Sequence, residues 1–296
     1  VLPQGWMQEY RDHSSREAWA NTVAIAQASE HMGFESVWMY DHFHTWPEPE
    51  DVIVFEPFVA LSALASATER VRIGHIVICT GFRNPALTAK MISTLDVVSD
   101  GRAELGIGAG WKQEEWEAWG YQYPTTRERL ATLGEHLEII TRMLDATTDE
   151  RATFEGQLAR VRGAVNQPKP LQYPRVPVMV GGNGPEVTWR LAARYADELN
   201  LDGLGPTEVA EALPVIRARC EEIDRDPDTL KVSVHTWYTE PGVSEPGQAR
   251  VDLYGAYRDL GLARVQSYVD GLAQGTDALE ALAEDLRAAG IELDNR

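Results

Sequence analysis

Cysteine is nearly absent from this 296-residue chain, with Cys79 and Cys220 the only two. Two thiols cannot build a disulfide framework or a cysteine-rich metal site, and a pair of reduced thiols in a cytoplasmic protein is the plainer expectation. Positive charge is also scarce: 27 Lys and Arg stand against 46 Asp and Glu, a formal net charge of −19. Such a surface repels nucleic-acid phosphates and anionic membranes, so neither is an expected partner, though a local basic pocket could still hold a phosphate. No stretch approaches the roughly 18 consecutive apolar residues of a membrane-spanning helix, and no signal peptide is visible. The seven histidines lack His-Glu-x-x-His or comparable ligand spacing, so no metal is expected. There is no Gly-x-Ser-x-Gly elbow and no P-loop with its lysine. The chain begins Val1-Leu2-Pro3-Gln4-Gly5 without Met, which reads as the tail of a strand with a few residues preceding it.

What is present is alternation. Short β-branched runs at 1–4, 36–41, 71–79, 103–108, 177–181, 197–201, 230–238 and 264–269 read as strands. Between them, stretches of helical period fall at about 16–32, 56–68, 85–98, 126–146, 185–195, 206–224, 247–260 and 276–289. Strand and helix repeated eight times predict an α/β fold, a (β/α)8 TIM-like barrel formed as one domain over 1–296. The competing doubly wound open sheet usually closes with fewer units in this length. Ser14 and Ser15 with Glu17 open the first helix and Gly33 closes it; Thr125 through Glu128 reads as a capping box; Pro57 and Pro85 suit first turns. Residues 148–176 break the rhythm. A short hairpin at Phe154–Gln157 and a Pro-rich connector predict an insertion between strand 4 and strand 5.

In such barrels chemistry sits at the C-terminal strand ends. Asp41-His42 follows the second strand among Trp38, Phe43 and Trp46, where a carboxylate could fix the imidazole tautomer beside a planar ligand; a histidine that merely caps the loop is the bland alternative. Gly106–Gly110 and Gly181–Gly184 each follow a strand, and the second opens a helix at Pro185, where bare N–H groups suit a phosphate. Each could equally be a tight turn that needs glycine, but two on one barrel face with aromatics between favour a phosphorylated planar cofactor. Trp111, Trp116 and Trp119 more often mean packing, although Trp111 stands at the glycine mouth, and Glu114-Glu115 reads as a solvated face. Cys79, inside an apolar run, reads as packing rather than a nucleophile.

The strings LPQGW (2–6), GFESVWMYDHFHTW (33–46), RVRIGHIVICTGFRNPALTAKMISTLDVVSDGRAELGIGAGW (70–111) and VPVMVGGNGPEVTWRLAARYAD (176–197) carry a family resemblance. The chain resembles the bacterial luciferase-like flavin and deazaflavin oxidoreductases, and within them the branch that uses coenzyme F420. The resemblance implies a deazaflavin in the barrel mouth, with Asp41 and His42 beside its ring and Trp46 an aromatic near it. Ile76-Val77 would form a strand bulge with a non-prolyl cis peptide that backs the ring, and Cys79 belongs to the same coenzyme-binding group. Gly108, Trp111 and Glu114 would line the mouth, and Gly181, Gly182, Asn183 and Gly184 would take the coenzyme phosphate. His42 is the expected catalytic residue. Trp6, Trp46, Trp111 and His235 would shape an aromatic pocket for a small-molecule substrate. Asn200, Asp202 and His235 stand where sugar-phosphate-oxidising relatives place cations, so a phosphorylated sugar is not the expected substrate. Arg83, Lys112 and Arg129 are the expected counter-charges to the polyanionic coenzyme tail. The alternative is an FMN-dependent monooxygenase supplied by a partner reductase; a non-catalytic cofactor-binding protein is disfavoured by the intact mouth loops. The resemblance further implies a homodimer through the second and third helices, with an F420 or flavin reductase as indirect partner.

Overall fold

A computed structural model describes residues 1–237, 242–243 and 245–293. In chain order the elements are α1 (Ser15–Met32), β1 (Ser36–Met39), α2 (Pro57–Ala67), β2 (Arg72–His75), β3 (Ile78–Cys79), α3 (Pro85–Val98) and β4 (Ala103–Gly108). Then follow α4 (Gln113–Ala118), α5 (Thr126–Leu144), β5 (Ala152–Glu155), β6 (Arg160–Ala164), β7 (Val178–Gly181) and α6 (Thr188–Tyr195). The chain continues with β8 (Glu198–Asp202), α7 (Pro206–Glu221), β9 (Lys231–Thr236), α8 (Gln248–Asp259), β10 (Arg264–Ser267) and α9 (Asp277–Ala288).

Parallel pairing runs β1-β2-β4-β7-β8-β9-β10, with β3 on β4 beyond the end of β2. This is a nearly closed α/β barrel of the TIM type. The predicted strand at 1–4 forms no regular ladder but lies in the seam between the two end strands. Val1 N–H donates to Ser267 O at 2.7 Å and Leu2 N–H to Trp38 O at 2.9 Å. Gln4 extends the suture with its side chain, accepting from Tyr40 N–H at 2.9 Å while donating to Tyr40 O and Phe55 O. The predicted strand 71–79 is split, because a cis peptide at Ile76-Val77 separates β2 from β3. Tyr238, the last residue of the predicted strand 230–238, lies outside the described residues.

The sequence signals act where they stand. Ser14 and Glu17 form a capping box on α1, Gly33 closes it at φ 87°, and Thr125 with Glu128 caps α5. Leu105, Ile107, Val178, Val180, Leu199 and Leu201 are buried and pack within the main core. The barrel interior at the other end holds charge: Arg264 bonds Glu104 at 2.8 Å, Arg72 also bonds Glu104, and Trp38 lies over the Arg264 guanidinium. The insertion holds an antiparallel hairpin, β5–β6, its turn at 156–159 rather than 154–157. One carboxylate anchors it: Glu135 of α5 accepts the N–H groups of Gln157, Leu158 and Ala159.

Candidate active site

A cavity of about 330 Å³ opens at the C-terminal ends of the strands. That is within the usual range of ligand pockets, about 300–1,000 Å³. Its floor is Val77. A Cβ on Gly108 would meet Val77 Cγ2 at 2.8 Å, and one on Gly181 would meet Val77 Cγ1 at 2.9 Å, so only glycine lets this side chain lie flat across both strands.

His42 stands in the wall, stacked on Trp6 at 4.2 Å and 4° with Trp111 edge-on at 6.0 Å. Its Nδ1 lies 2.7 Å from Glu115 Oε2. A carboxylate only accepts, so Nδ1 carries the proton and Nε2 is left to the cavity. Glu115 also accepts Phe43 N–H at 2.7 Å. Burial pushes the Glu115 carboxyl up, but the bond from His42 and the Phe43 N–H outweigh it and hold the carboxyl below its usual range. The partner that fixes His42 is therefore Glu115 and not Asp41. Asp41 accepts Cys79 N–H at 2.8 Å and a bidentate pair from Arg83 at 2.7 and 2.9 Å. It ties β3 to the end of β1.

Of the expected site residues, Trp6, Asp41, His42, Ile76, Val77, Cys79, Gly108, Trp111, Gly181, Gly182, Asn200 and His235 border the cavity. Four expected residues, Trp46, Glu114, Asn183 and Gly184, do not. Trp46 packs edge-on to Trp111 at 5.2 Å. Asn183 is turned to Asp202, donating to its carbonyl at 2.7 Å and accepting its N–H at 3.0 Å. Gly184 accepts Trp189 N–H at 3.1 Å. Helix α6 begins at Thr188, three residues after Pro185, so the loop is longer than expected. Gly182 N–H donates to Asn200 O at 3.0 Å, whereas the Asn183 and Gly184 N–H groups have no acceptor among the described residues.

The expected counter-charges are engaged internally. Arg83 pairs with Asp41 and Glu56. Buried Lys112 donates to Thr45 O at 2.9 Å under the Trp46 ring. Arg129 donates to Gly110 O and Pro124 O. Glu114 is exposed and Glu115 buried, which corrects the reading of the pair as one solvated face. Burial also raises the Cys79 thiol, in keeping with packing rather than nucleophilic attack. Tyr40 and Trp237, strand-end residues to which the sequence assigned no role, also border the cavity.

Residues 5–287 match the luciferase-like monooxygenase family, and the chain belongs to it. A protein named F420-dependent glucose-6-phosphate dehydrogenase from Kineococcus radiotolerans is 34% identical over 223 residues, 73% of this chain. The chain spans less than two thirds of the curated relatives it matches, 63% of this one. A solved F420-dependent secondary alcohol dehydrogenase in complex with an F420-acetone adduct superposes with TM-score 0.79 at 21% identity, covering 92% of this chain and 95% of that one. A riboflavin lyase with modified FMN also reaches TM-score 0.79, at 14% identity, covering 100% of this chain and 91% of that one. The two structures share the fold, and the fold by itself does not choose between the coenzymes.

Proposed function

We propose that this chain is a coenzyme F420-dependent oxidoreductase that moves a hydride between the deazaflavin C5 and a small organic substrate. The observation that carries the reading is His42, locked by Glu115 with its Nε2 left to a cavity floored by Val77. The relative's name points the same way. The residues present fit the group. Val77 and Ile76 offer an apolar floor for a flat ring, and the unengaged N–H groups of Asn183 and Gly184 offer donors for a phosphate. When bound, the coenzyme supplies a carbon that accepts or gives hydride. The protein's part is orientation and proton handling: Trp6 and Trp111 confine the substrate, and His42 Nε2 gives or takes the accompanying proton or stabilises the charge that develops.

Lys112 is the only Lys or Arg among the described lining residues, and its ammonium is turned to Thr45 O. A sugar phosphate would find no free cation there, so the substrate is an uncharged molecule with apolar surface, unlike that in the name of the Kineococcus relative. A second copy would pack over α2 and α3, where Val59, Leu87, Val97 and Val98 are exposed, and sedimentation equilibrium at twice the 32.9 kDa chain mass would reveal it.

Titration with each coenzyme tests the main reading. Quenching of F420 fluorescence at micromolar protein is expected. Submicromolar FMN binding without F420 binding would install the monooxygenase reading in its place.

A further inference from the structure

Beyond Trp6 from His42, a second set of acid–base groups lines the same cavity. The Tyr40 hydroxyl lies 2.9 Å from His235 Nε2, and His235 Nδ1 lies 3.2 Å from Asp202 Oδ1. Trp237 Nε1 also donates to that carboxylate oxygen at 2.9 Å, and the Trp237 ring stacks on Tyr40 at 6°. Tyr40 and His235 are buried, whereas Asp202 is exposed at the rim. Because the carboxylate can only accept, His235 Nδ1 carries the proton, Nε2 is bare, and Tyr40 donates to it. The phenol oxygen keeps a lone pair that no other protein group among the described residues uses. Trp6 separates this set from His42, 4.7 Å from Tyr40 and 4.2 Å from His42 between ring centres.

We propose that Tyr40, His235 and Asp202 form a proton relay from the cavity to the rim, with Tyr40 taking the proton of a substrate hydroxyl. The step rests on the oxidoreductase reading above. In the oxidising direction the carbinol carbon loses its hydrogen with the bonding pair to the coenzyme. The hydroxyl proton passes to the Tyr40 oxygen, the Tyr40 proton passes to His235 Nε2, and the C–O bond becomes C=O. The Nδ1 proton then leaves through Asp202 to water, and reduction runs the same path backwards. Burial lowers the His235 imidazole and keeps it neutral and ready to accept, while burial raises the Tyr40 phenol, so Tyr40 relays a proton rather than resting as phenolate. Tyr40 is the catalytic group, and His235 and Asp202 are positioning residues. His42 is left to stabilise the charge that accompanies the hydride.

Two measurements on coenzyme-free protein test the relay, and one uses the loaded enzyme. Nitrogen-15 spectra should show His235 as the Nδ1–H tautomer. Tyr40→Phe should shift the bare Nε2 resonance, and Asp202→Asn should populate the Nε2–H form. Tryptophan fluorescence should show cyclohexanol binding at least tenfold tighter than cyclohexyl methyl ether, and Tyr40→Phe or, independently, His235→Gln should level the two. With F420, Tyr40→Phe should lower alcohol kcat/KM by about 10² or more, as loss of a general acid–base group does, while coenzyme affinity stays within twofold. An Nε2–H tautomer in the unmodified protein, or an alcohol-to-ether ratio absent there or unchanged in both variants, overturns the relay. Failure to bind F420 overturns the proposed function instead and leaves the first two measurements standing.

Discussion

Glu115→Gln isolates the group that orients His42. The change keeps shape and one carbonyl oxygen, which still accepts Phe43 N–H, now 2.7 Å from Oε1. It replaces the oxygen 2.7 Å from His42 Nδ1 with an amide that can only donate. His42 must then move its proton to Nε2 or lose the contact. Hydrogen bonds to charged groups contribute about 1.5–3 kcal/mol each, so losing one costs roughly 2 kcal/mol. For a chain of this size that lowers Tm by roughly 3 °C. Turnover should fall by about 10² or more, the usual worth of a pre-oriented group that stabilises developing charge, with coenzyme affinity within a few-fold. The Glu115 carboxyl lies below its ordinary range in the fold. Its stabilising contribution is therefore fully present above the unfolded carboxylate value and lost as pH falls through the lower folded one. The variant should lose less stability on acidification than the parent. Scanning calorimetry from pH 7 to pH 3, with F420 turnover, reads both effects. Unchanged Tm together with unchanged turnover would refute the orienting role.

Three further outcomes follow from packing and charge. Gly181→Ala places a Cβ 2.9 Å from Val77 Cγ1 and lifts that side chain into the cavity; coenzyme affinity should weaken at least tenfold in fluorescence titration with Tm changed little. Asp41→Asn leaves the largely buried Arg83 with Glu56 alone and should cost about 3–5 kcal/mol, as removal of one partner of a buried pair does, in urea unfolding at pH 7. His75 is fully buried, neither ring nitrogen has a hydrogen-bond partner among the described residues, and burial lowers it to about 3. The unfolded chain therefore binds the extra proton between the ordinary histidine value and about 3, and stability falls with acidity across that window by up to about 1.4 kcal/mol per pH unit. His75→Leu should flatten that slope between pH 6 and pH 4, and an unchanged slope would exclude His75 as its source.

The barrel was legible in the sequence because its signals are local. Capping boxes at Ser14 and Thr125, first-turn prolines and β-branched runs each act within one turn or strand. The site was legible only as far as single residues reveal partners. Arg83 reads as a free cation beside a glycine mouth, yet its carboxylate partner, Asp41, lies 42 positions away in sequence. Glu115 hides beside Glu114. Only the helical spacing of Lys112, Glu115 and Trp116 marks it as the inward member, and α4 is too short for that period to stand out. Tyr40 reads as one more residue of the predicted strand 36–41, and its tie to His235 spans 195 positions. No sequence pattern announces a bond of that reach.

Regular ladders join the neighbouring barrel strands from β1 round to β10, but between those two ends closure depends on a few backbone contacts of Val1 and Leu2 and on the carboxamide of Gln4 imitating a peptide unit. Trp6, against which His42 rests, comes just two positions after that carboxamide. Any breathing of the ring would reach the imidazole's backing before it reached Val77 and the two glycines of β4 and β7 beneath it.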